Sequence, residues 1–293
     1  MKLVTQSEAL AKNFGGEEGI RILAKAGFDA VDWSFFEMEN GEGIWCSDGF
    51  KEYALRLRKV GEECGLAFTQ AHAPFPSSLG KEPYDTEIRK WIIRSMEAAS
   101  LMGIRDIVVH PVQHLEYMKY RERLFEENLE FYRGLIPYCE KFNIRVCTEN
   151  MWQYDNRRNY IVDSVCASPE EFNRMLDELD SPWIVGCLDL GHCALVGREP
   201  ADFIRAMGKE RLQALHVHDV DYVSDCHTMP FLESLDWNAI TYALAEIGYE
   251  GNLTFEADNF LFKMPKELMP EASRLMARTG RYLIKCITEA AIQ

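Results

Sequence analysis

The 293-residue chain lacks several features that would place it in a specialised class of protein. It contains no run of about 18 apolar residues, which a membrane-spanning helix requires. Its first segment, MKLVTQSEALAKNF, lacks the apolar centre of a signal peptide. Its nine cysteines are odd in number and form no Cys-x-x-Cys pair, which favours free thiols over a disulfide framework. We therefore expect a cytoplasmic protein with no membrane partner.

Positive charge is also scarce. The 32 Lys and Arg residues are outnumbered by 47 Asp and Glu residues, which gives a formal net charge of −15. Nucleic-acid binding normally depends on a basic surface that neutralises phosphates. The charge therefore argues against a nucleic-acid partner. Hydrophobic residues, by contrast, make up 47% of the chain and are sufficient for a sizeable core.

Strand-like and helix-like segments alternate eight times along the chain. Regular alternation predicts a parallel sheet, and eight units predict a closed (β/α)8 barrel, the TIM barrel, as a single domain over residues 1–293. Gly27, Gly65, Gly103 and Gly248 lie where helices are expected to end. The predicted strands are 2–5, 28–33, 66–72, 105–110, 144–149, 183–189, 212–218 and 253–257. The predicted helices are 17–26, 48–64, 85–102, 121–142, 169–179, 200–207, 237–247 and 266–288.

Histidines and carboxylates concentrate at the carboxyl ends of these predicted strands. In barrels of this kind, the active site lies at that end. Because successive residues of a strand face opposite sides, Cys147 and Ala214 are predicted to share the inward face with the polar residues that follow them, while the aliphatic face packs against helices. The strand-end residues are His72, His110, Glu149, Asp189, His192, His216, His218 and Glu256.

Four of these residues end four consecutive predicted strands, namely Glu149, Asp189, His216 and Glu256. Neighbouring strands lie about 4.8 Å apart, so the four side chains can converge on one ion. Three carboxylates and one imidazole form an oxygen-rich site, which favours Mn²⁺, Mg²⁺ or Co²⁺ over a structural zinc bound by cysteines. His218 faces the same side two residues beyond His216 and is the alternative ligand.

Other residues near the same rim are candidates for contacts with a substrate. His192 lies three residues beyond the aspartate in Asp-Leu-Gly-His, and His72 and His110 end strands three and four. These imidazoles could bind substrate hydroxyl groups. Trp152 and Trp33 could form a wall against which a sugar ring stacks.

Six motifs, HAPF, VVHP, TEN, LDLGH, HVHD and FEAD, together resemble the xylose isomerase-like TIM barrels over residues 66–258. That family includes sugar and sugar-phosphate isomerases and epimerases, inosose dehydratases, and apurinic endonucleases of the endonuclease IV type. The resemblance implies that Glu149, Asp189, His216 and Glu256 match the metal ligands of the ketose 3-epimerases, in which the two glutamates are also the acid–base pair. It also implies that His192 touches the sugar.

The resemblance favours His216 over His218, because the ligand in the family lies three residues before an acidic residue, here Asp219. One departure concerns the stretch HDVDYVSDCHTMP, which contains no arginine. The ketose 3-epimerases carry an arginine there, close to the substrate. This departure points away from an allulose- or tagatose-type substrate.

The spacing of Asp225 and His227, Asp-x-His, matches the endonuclease branch of the family, as do His72 and His110. Together with Glu149, Asp189, His192, His216 and Glu256 they would supply the nine ligands of a trinuclear zinc cluster. His227 is also a candidate substrate-binding residue, because many sugar-acting members keep several of these positions. The net charge of −15 argues against a DNA substrate.

These observations predict a sugar or sugar-phosphate isomerase or epimerase that uses one divalent ion, Mn²⁺ first, with Mg²⁺, Co²⁺ or Zn²⁺ as alternatives. Glu149 and Glu256 would transfer a proton through a metal-stabilised enediolate. Elimination from the same enediolate would instead make a dehydratase or lyase, and the trinuclear endonuclease is the remaining alternative. The expected partner is a small sugar, and the chain could form a homo-oligomer.

Overall fold

Eight parallel strands form a barrel in the computed structural model, which describes residues 1–292. The predicted (β/α)8 fold is confirmed. The barrel strands are β1 (Leu3–Gln6), β2 (Ala30–Ser34), β3 (Ala67–His72), β4 (Asp106–Val108), β5 (Arg145–Glu149), β8 (Ile184–Asp189), β9 (Leu212–His216) and β10 (Leu253–Phe255). Two further strands, β6 (Trp152–Asp155) and β7 (Tyr160–Asp163), pair antiparallel as a hairpin outside the barrel.

The barrel closes through two joints that involve the last strand. Along β1, Leu3, Val4 and Thr5 pair with three residues of β10, which is a regular parallel ladder. Between β9 and β10 there is a single bridged pair, Val217 and Phe255. There the amide of Val217 donates to the carbonyl of Thr254 at 2.8 Å, and the amide of Glu256 donates to the carbonyl of Val217 at 3.1 Å.

Helices surround the barrel and follow the strands in the predicted order. Gly65 and Gly103 end two of them with φ of 69° and 83°, a left-handed conformation that favours glycine, as the sequence predicted. The helices are α1 (Glu8–Phe14), α2 (Gly16–Ala26), α3 (Phe50–Cys64), α4 (Tyr84–Met102), α5 (Tyr117–Arg133), α6 (Ile136–Phe142), α7 (Pro169–Leu179), α8 (Leu190–Leu195), α9 (Pro200–Arg211), α10 (Trp237–Glu246), α11 (Asp258–Phe262) and α12 (Met269–Ala290). Short 3₁₀ helices span Phe36–Asn40, Ile44–Cys46 and Lys266–Leu268.

The core has two layers, one on each face of the sheet. The large outer cluster lies between strands and helices and includes Val146 and Leu215. A separate cluster of Val108, Cys147, Cys187 and Ala214 fills the inside of the barrel. This arrangement confirms the predicted inward face of Cys147 and Ala214. All nine cysteines are free.

Several local elements differ from the sequence-based expectation. The single helix predicted over 121–142 is two helices, because Pro137 lies in the first turn of α6, where its missing N–H is tolerated. The hairpin β6–β7 and the short helices α1, α8 and α11 were not predicted. None of the helices within residues 1–292 is both long enough and apolar enough to cross a membrane.

Trp33 does not belong to a sugar-stacking wall, so that expectation was wrong. It is only 3% exposed and packs at 5.9 Å from the ring of Trp45 and 6.2 Å from the ring of Phe68. Its side chain is part of an aromatic cluster in the outer layer of the core. Trp at a strand end therefore serves packing at this position.

Candidate active site

The four residues predicted as metal ligands lie together at the carboxyl end of the barrel. Glu149, Asp189 and His216 are the last residues of β5, β8 and β9, and Glu256 directly follows β10. All four are buried, and their potential ligand atoms lie within 4.8 Å of one another. Nδ1 of His216 is 3.1 Å from Oε1 of Glu149 and 3.1 Å from Oε2 of Glu256. We call these four residues the central group.

The charges of the central group depend on one another. Burial raises the pKa of Glu149, but the nearby imidazoles of His216 and His110 lower it more, so that its pKa is well below the usual range. The pKa of Glu256 is lowered against burial in the same way, chiefly by His216. Burial lowers the pKa of His216, but its anionic surroundings, Glu256 and Glu149 among them, raise it well above the usual value. The two glutamates thus favour positive charge at the place between them.

A divalent cation fits this donor set. Three carboxylates enclosed within a few ångströms repel one another unless positive charge lies between them. Oε2 of Glu149 is buried and has no well-aligned hydrogen-bond donor among residues 1–292, although Nε2 of His110 lies 3.1 Å away. Carboxylate oxygens with one imidazole are ligands that hard divalent ions accept, and binding would displace the proton of His216.

Asp32 of β2 supports His216 from behind, and the sequence had not singled it out. Oδ2 of Asp32 lies 3.5 Å from Nε2 of His216, the nitrogen that points away from the central group. Gln70 donates to the same Asp32 oxygen at 3.0 Å. A carboxylate behind a metal-binding histidine holds its ring orientation. The available signal was an aspartate within an otherwise apolar buried strand, AVDWS.

Asp189 combines two contacts at the start of α8. Its Oδ1 accepts a hydrogen bond from the amide of His192 at 2.6 Å and so caps this helix. Nε2 of His218 lies 3.0 Å from both of its oxygens. Gly191 is required here, because a Cβ at that position would lie 2.1 Å from Cε1 of His218. This explains the glycine of Asp-Leu-Gly-His.

A second set of ligand atoms, the His72 group, adjoins the central group and consists of His72, His110 and Glu149. Nε2 of His110 lies 2.9 Å from Nε2 of His72 and 3.1 Å from Oε2 of Glu149. Burial and the neighbouring His110 lower the pKa of His72 to about 3. Glu149 thus has one oxygen beside each group.

A third set, the His192 group, consists of His192, His218, Asp225 and His227. The carboxylate of Asp225 lies between two imidazoles, 3.1 Å from Nε2 of His227 and 3.8 Å from Nε2 of His192. The rings of His218 and His227 stack at 3.9 Å. Burial opposes a charge on His227, but its hydrogen bond to Asp225 raises the pKa of His227 to about 9.

Asp219 holds the loop 220–236, which carries Asp225 and His227. This carboxylate is fully buried and accepts five hydrogen bonds. Each of its oxygens accepts at least two of them. The donors are the backbone amides of Val220, Phe231, Glu233 and Leu235 and the indole N–H of Trp237.

A cavity of about 1100 Å³ opens above the three groups. Four of the predicted substrate-binding residues line it, namely His110, Trp152, His192 and His227, whereas His72 lies just below, 1% exposed. Trp152 comes from the hairpin, and its ring lies 6.4 Å from that of His192. The cavity places these side chains beside the central group, where a bound substrate would meet them.

Residues 20–279 match the family model described as "Xylose isomerase-like TIM barrel". The chain belongs to this family. The family membership that the six motifs predicted is therefore confirmed. One relative in sequence is the uncharacterized protein y4fM of Sinorhizobium fredii. It is 26% identical over 269 residues, which cover 82% of this chain and 81% of the relative.

Solved structures share the xylose isomerase-like fold at low sequence identity. A D-tagatose 3-epimerase-like protein superimposes with a TM-score of 0.75 over 99% of each chain at 19% identity. The IOLI protein, crystallised with a zinc atom, superimposes with a TM-score of 0.72 over 99% of each chain at 14% identity. At such identities the likeness shows the fold of this xylose isomerase-like barrel.

Proposed function

We propose that this xylose isomerase-like barrel is a metal-dependent enzyme that isomerises or epimerises a sugar. The observation that carries the proposal is the placement of two anionic glutamates, Glu149 and Glu256, each with an oxygen 3.1 Å from Nδ1 of His216. They come from β5 and from the end of β10, so they approach the site from different strands. The epimerase-like and zinc-bound structures that share the fold support the proposal.

The bound ion would polarise the carbonyl group of the sugar and neutralise the negative charge that develops on its oxygen. We propose Mn²⁺ for this role. One glutamate would take the proton from the carbon beside the carbonyl, and the other would return a proton. Gln6 holds Glu256 in position by donating to its Oε1 at 2.9 Å. Oε2 of Glu149, which lies 3.1 Å from Nε2 of His110, would be the proton acceptor.

The histidines around the glutamates would bind the rest of the sugar. Burial lowers the pKa of His192, but Asp189 and Asp225 raise it well above the usual value. His192 lines the cavity, and its Nδ1 lies 3.5 Å from Oε1 of Glu149. Because this Nδ1 lies 3.0 Å from the carbonyl oxygen of Asn150, Nε2, on the side of Asp225, is the nitrogen left to meet a sugar hydroxyl. The same arrangement would also serve the elimination of a β-leaving group.

A second candidate function is metal-dependent phosphodiester hydrolysis, which the three adjoining ligand groups favour. Without His218, they offer the nine-ligand set of a trinuclear zinc cluster, with Glu149 shared between two groups. The cavity argues against a polyanionic substrate, however. Glu8, Glu37, Glu39 and Glu42 line it, and these carboxylates would repel the phosphates of DNA.

Two measurements on the purified protein test the proposal. Elemental analysis is expected to give one divalent ion per chain, and NMR in deuterated water is expected to show label entering a ketose, an aldose or a 3-keto sugar beside its carbonyl when Mn²⁺ is added. Glu149→Gln should lose this exchange, whereas Glu42→Gln, an exposed carboxylate at the cavity rim, should keep it. Three zinc ions per chain with incision of an abasic duplex would overturn the proposal in favour of the hydrolase.

A further inference from the structure

We propose that the cavity takes an uncharged glycoside, with its sugar at the central group and a second ring at the mouth. The position of the sugar rests on the function proposed above. The second ring is inferred independently from the size of the cavity, the apolar side chains at its mouth and the charge of its lining.

The cavity is larger than a single sugar needs. Its volume is about 1100 Å³. Clefts of about 300–1,000 Å³ bury most of the surface of drug-sized ligands, and a free hexose is smaller than those ligands. A hexose beside the three ligand groups would therefore leave most of the cavity to water.

Apolar side chains line the cavity beside the histidines. The rings of Phe36 and Phe75 lie edge to face at 4.9 Å, and Phe75 is 4.9 Å from the ring of His110. On another wall, Trp152 lies beside His192. A sugar ring at the central group would lie between these walls, with its polar edge toward the imidazoles.

A further set of apolar side chains lies at the mouth and is exposed to solvent. Leu79 is 42% exposed, Tyr154 48% and Phe262 39%. They come from three separate segments, the loop after β3, the hairpin strand β6 and helix α11, yet all line the same cavity. Exposed apolar residues that converge on one concave site indicate a ligand contact. Flat aromatic faces suit a second ring, whether a sugar or an aryl group.

The charge of the lining excludes an anionic group on that ligand. Outside the three ligand groups, the lining carries the carboxylic acids Glu8, Glu37, Glu39, Glu42 and Asp258. Among the lining residues that the structure describes, Lys12 is the single lysine or arginine, and its Nζ lies 2.6 Å from Oε1 of Glu8. Away from the histidines and the proposed ion, a phosphate group on the sugar would find no free lysine or arginine among these residues and would meet repulsion from the carboxylates.

Equilibrium binding to the metal-loaded protein tests the inference without requiring turnover. The probes are glucose, glucose 6-phosphate, phenyl glucoside and cellobiose. We expect phenyl glucoside, cellobiose or both to bind about three- to tenfold more tightly than glucose, as one ring-stacking contact would give, and glucose 6-phosphate to bind most weakly. The better of the two glycosides identifies the second ring as aryl or sugar.

Two variants locate the second ring. Tyr154→Ala should remove the advantage of the glycoside and leave glucose affinity unchanged. Tyr160→Ala is the matched control, because Tyr160 is 49% exposed on the neighbouring hairpin strand but does not line the cavity. Equal affinities for glucose and both glycosides, or equal effects of the two variants, would overturn the inference. Tight glycoside binding without deuterium exchange into any sugar would overturn the proposed reaction and leave this inference standing.

Discussion

Replacement of Asp219 by asparagine is the most direct test of how the site is held together. The carboxylate is buried and serves as the common acceptor for the loop 220–236. That loop carries Asp225 and His227 of the His192 group. Asparagine has nearly the same shape as aspartate, so the substitution changes hydrogen bonding and charge while hardly changing packing.

The size of the expected destabilisation follows from how the five donors divide between the two oxygens of Asp219. Oδ1 accepts from Val220 and Leu235, and Oδ2 accepts from the remaining three donors. An amide nitrogen cannot accept, so either the two buried N–H groups on Oδ1 lose their acceptor or the three on Oδ2 do, of which Trp237 is buried. Each costs about 1–3 kcal/mol, so the loop should be destabilised by about 2–6 kcal/mol. That is a large part of the stability of a typical domain.

Urea unfolding and hydrogen exchange measure this loss together. If the loop stays packed, the free energy of unfolding falls by at least about 2 kcal/mol; if it opens locally, its amides exchange faster while global unfolding changes less. Asp221→Asn is the control, since Asp221 accepts hydrogen bonds only from Val223 and Ser224 in an exposed turn. If Asp219→Asn and Asp221→Asn are alike in both measurements, the central role assigned to Asp219 is wrong.

The remaining predictions concern the ligand groups. Glu149→Gln and Glu256→Gln should each lower turnover by at least about 10²-fold with an unchanged circular dichroism spectrum, and a variant that keeps more than about a tenth of the rate would show that its glutamate is dispensable. His216→Ala should lose more bound metal after dialysis than His218→Ala; the reverse order would assign the ligand to His218. Gly191→Ala should lower the free energy of unfolding by about 1–3 kcal/mol, because the new methyl group would lie 2.1 Å from the His218 ring. Unchanged stability would show that this ring can move aside.

The order of strands and the positions of the central group could be predicted from sequence alone. Both depend on local signals, since each strand is a short apolar run and each of Glu149, Asp189 and His216 ends one. In a closed parallel barrel, the carboxyl ends of all strands meet at one rim. Proximity in space therefore followed from position in the strand.

The supporting residues could not be found in the same way. Asp32 and His216 belong to strands that are not neighbours in the barrel, and their contact depends on how the inner side chains fill its interior. Trp33, next to Asp32, points to the outer layer because it packs against Trp45 and Phe68. Those two residues are distant in the sequence, so the contact could not be predicted. Four of the five donors to Asp219 come from a loop whose path no periodicity describes.

The joint between β9 and β10 gives the proposed ion a second role. Every other pair of neighbouring barrel strands is joined through at least three paired residues, whereas this joint has the single pair Val217 and Phe255. His216 and Glu256 lie on either side of it, one residue from each bridging residue. An ion held by both would crosslink the barrel where its backbone is joined most sparsely. Loss of the ion would then loosen the closure of the barrel as well as stop the reaction. The stability of the barrel and catalysis would therefore depend on the same ion.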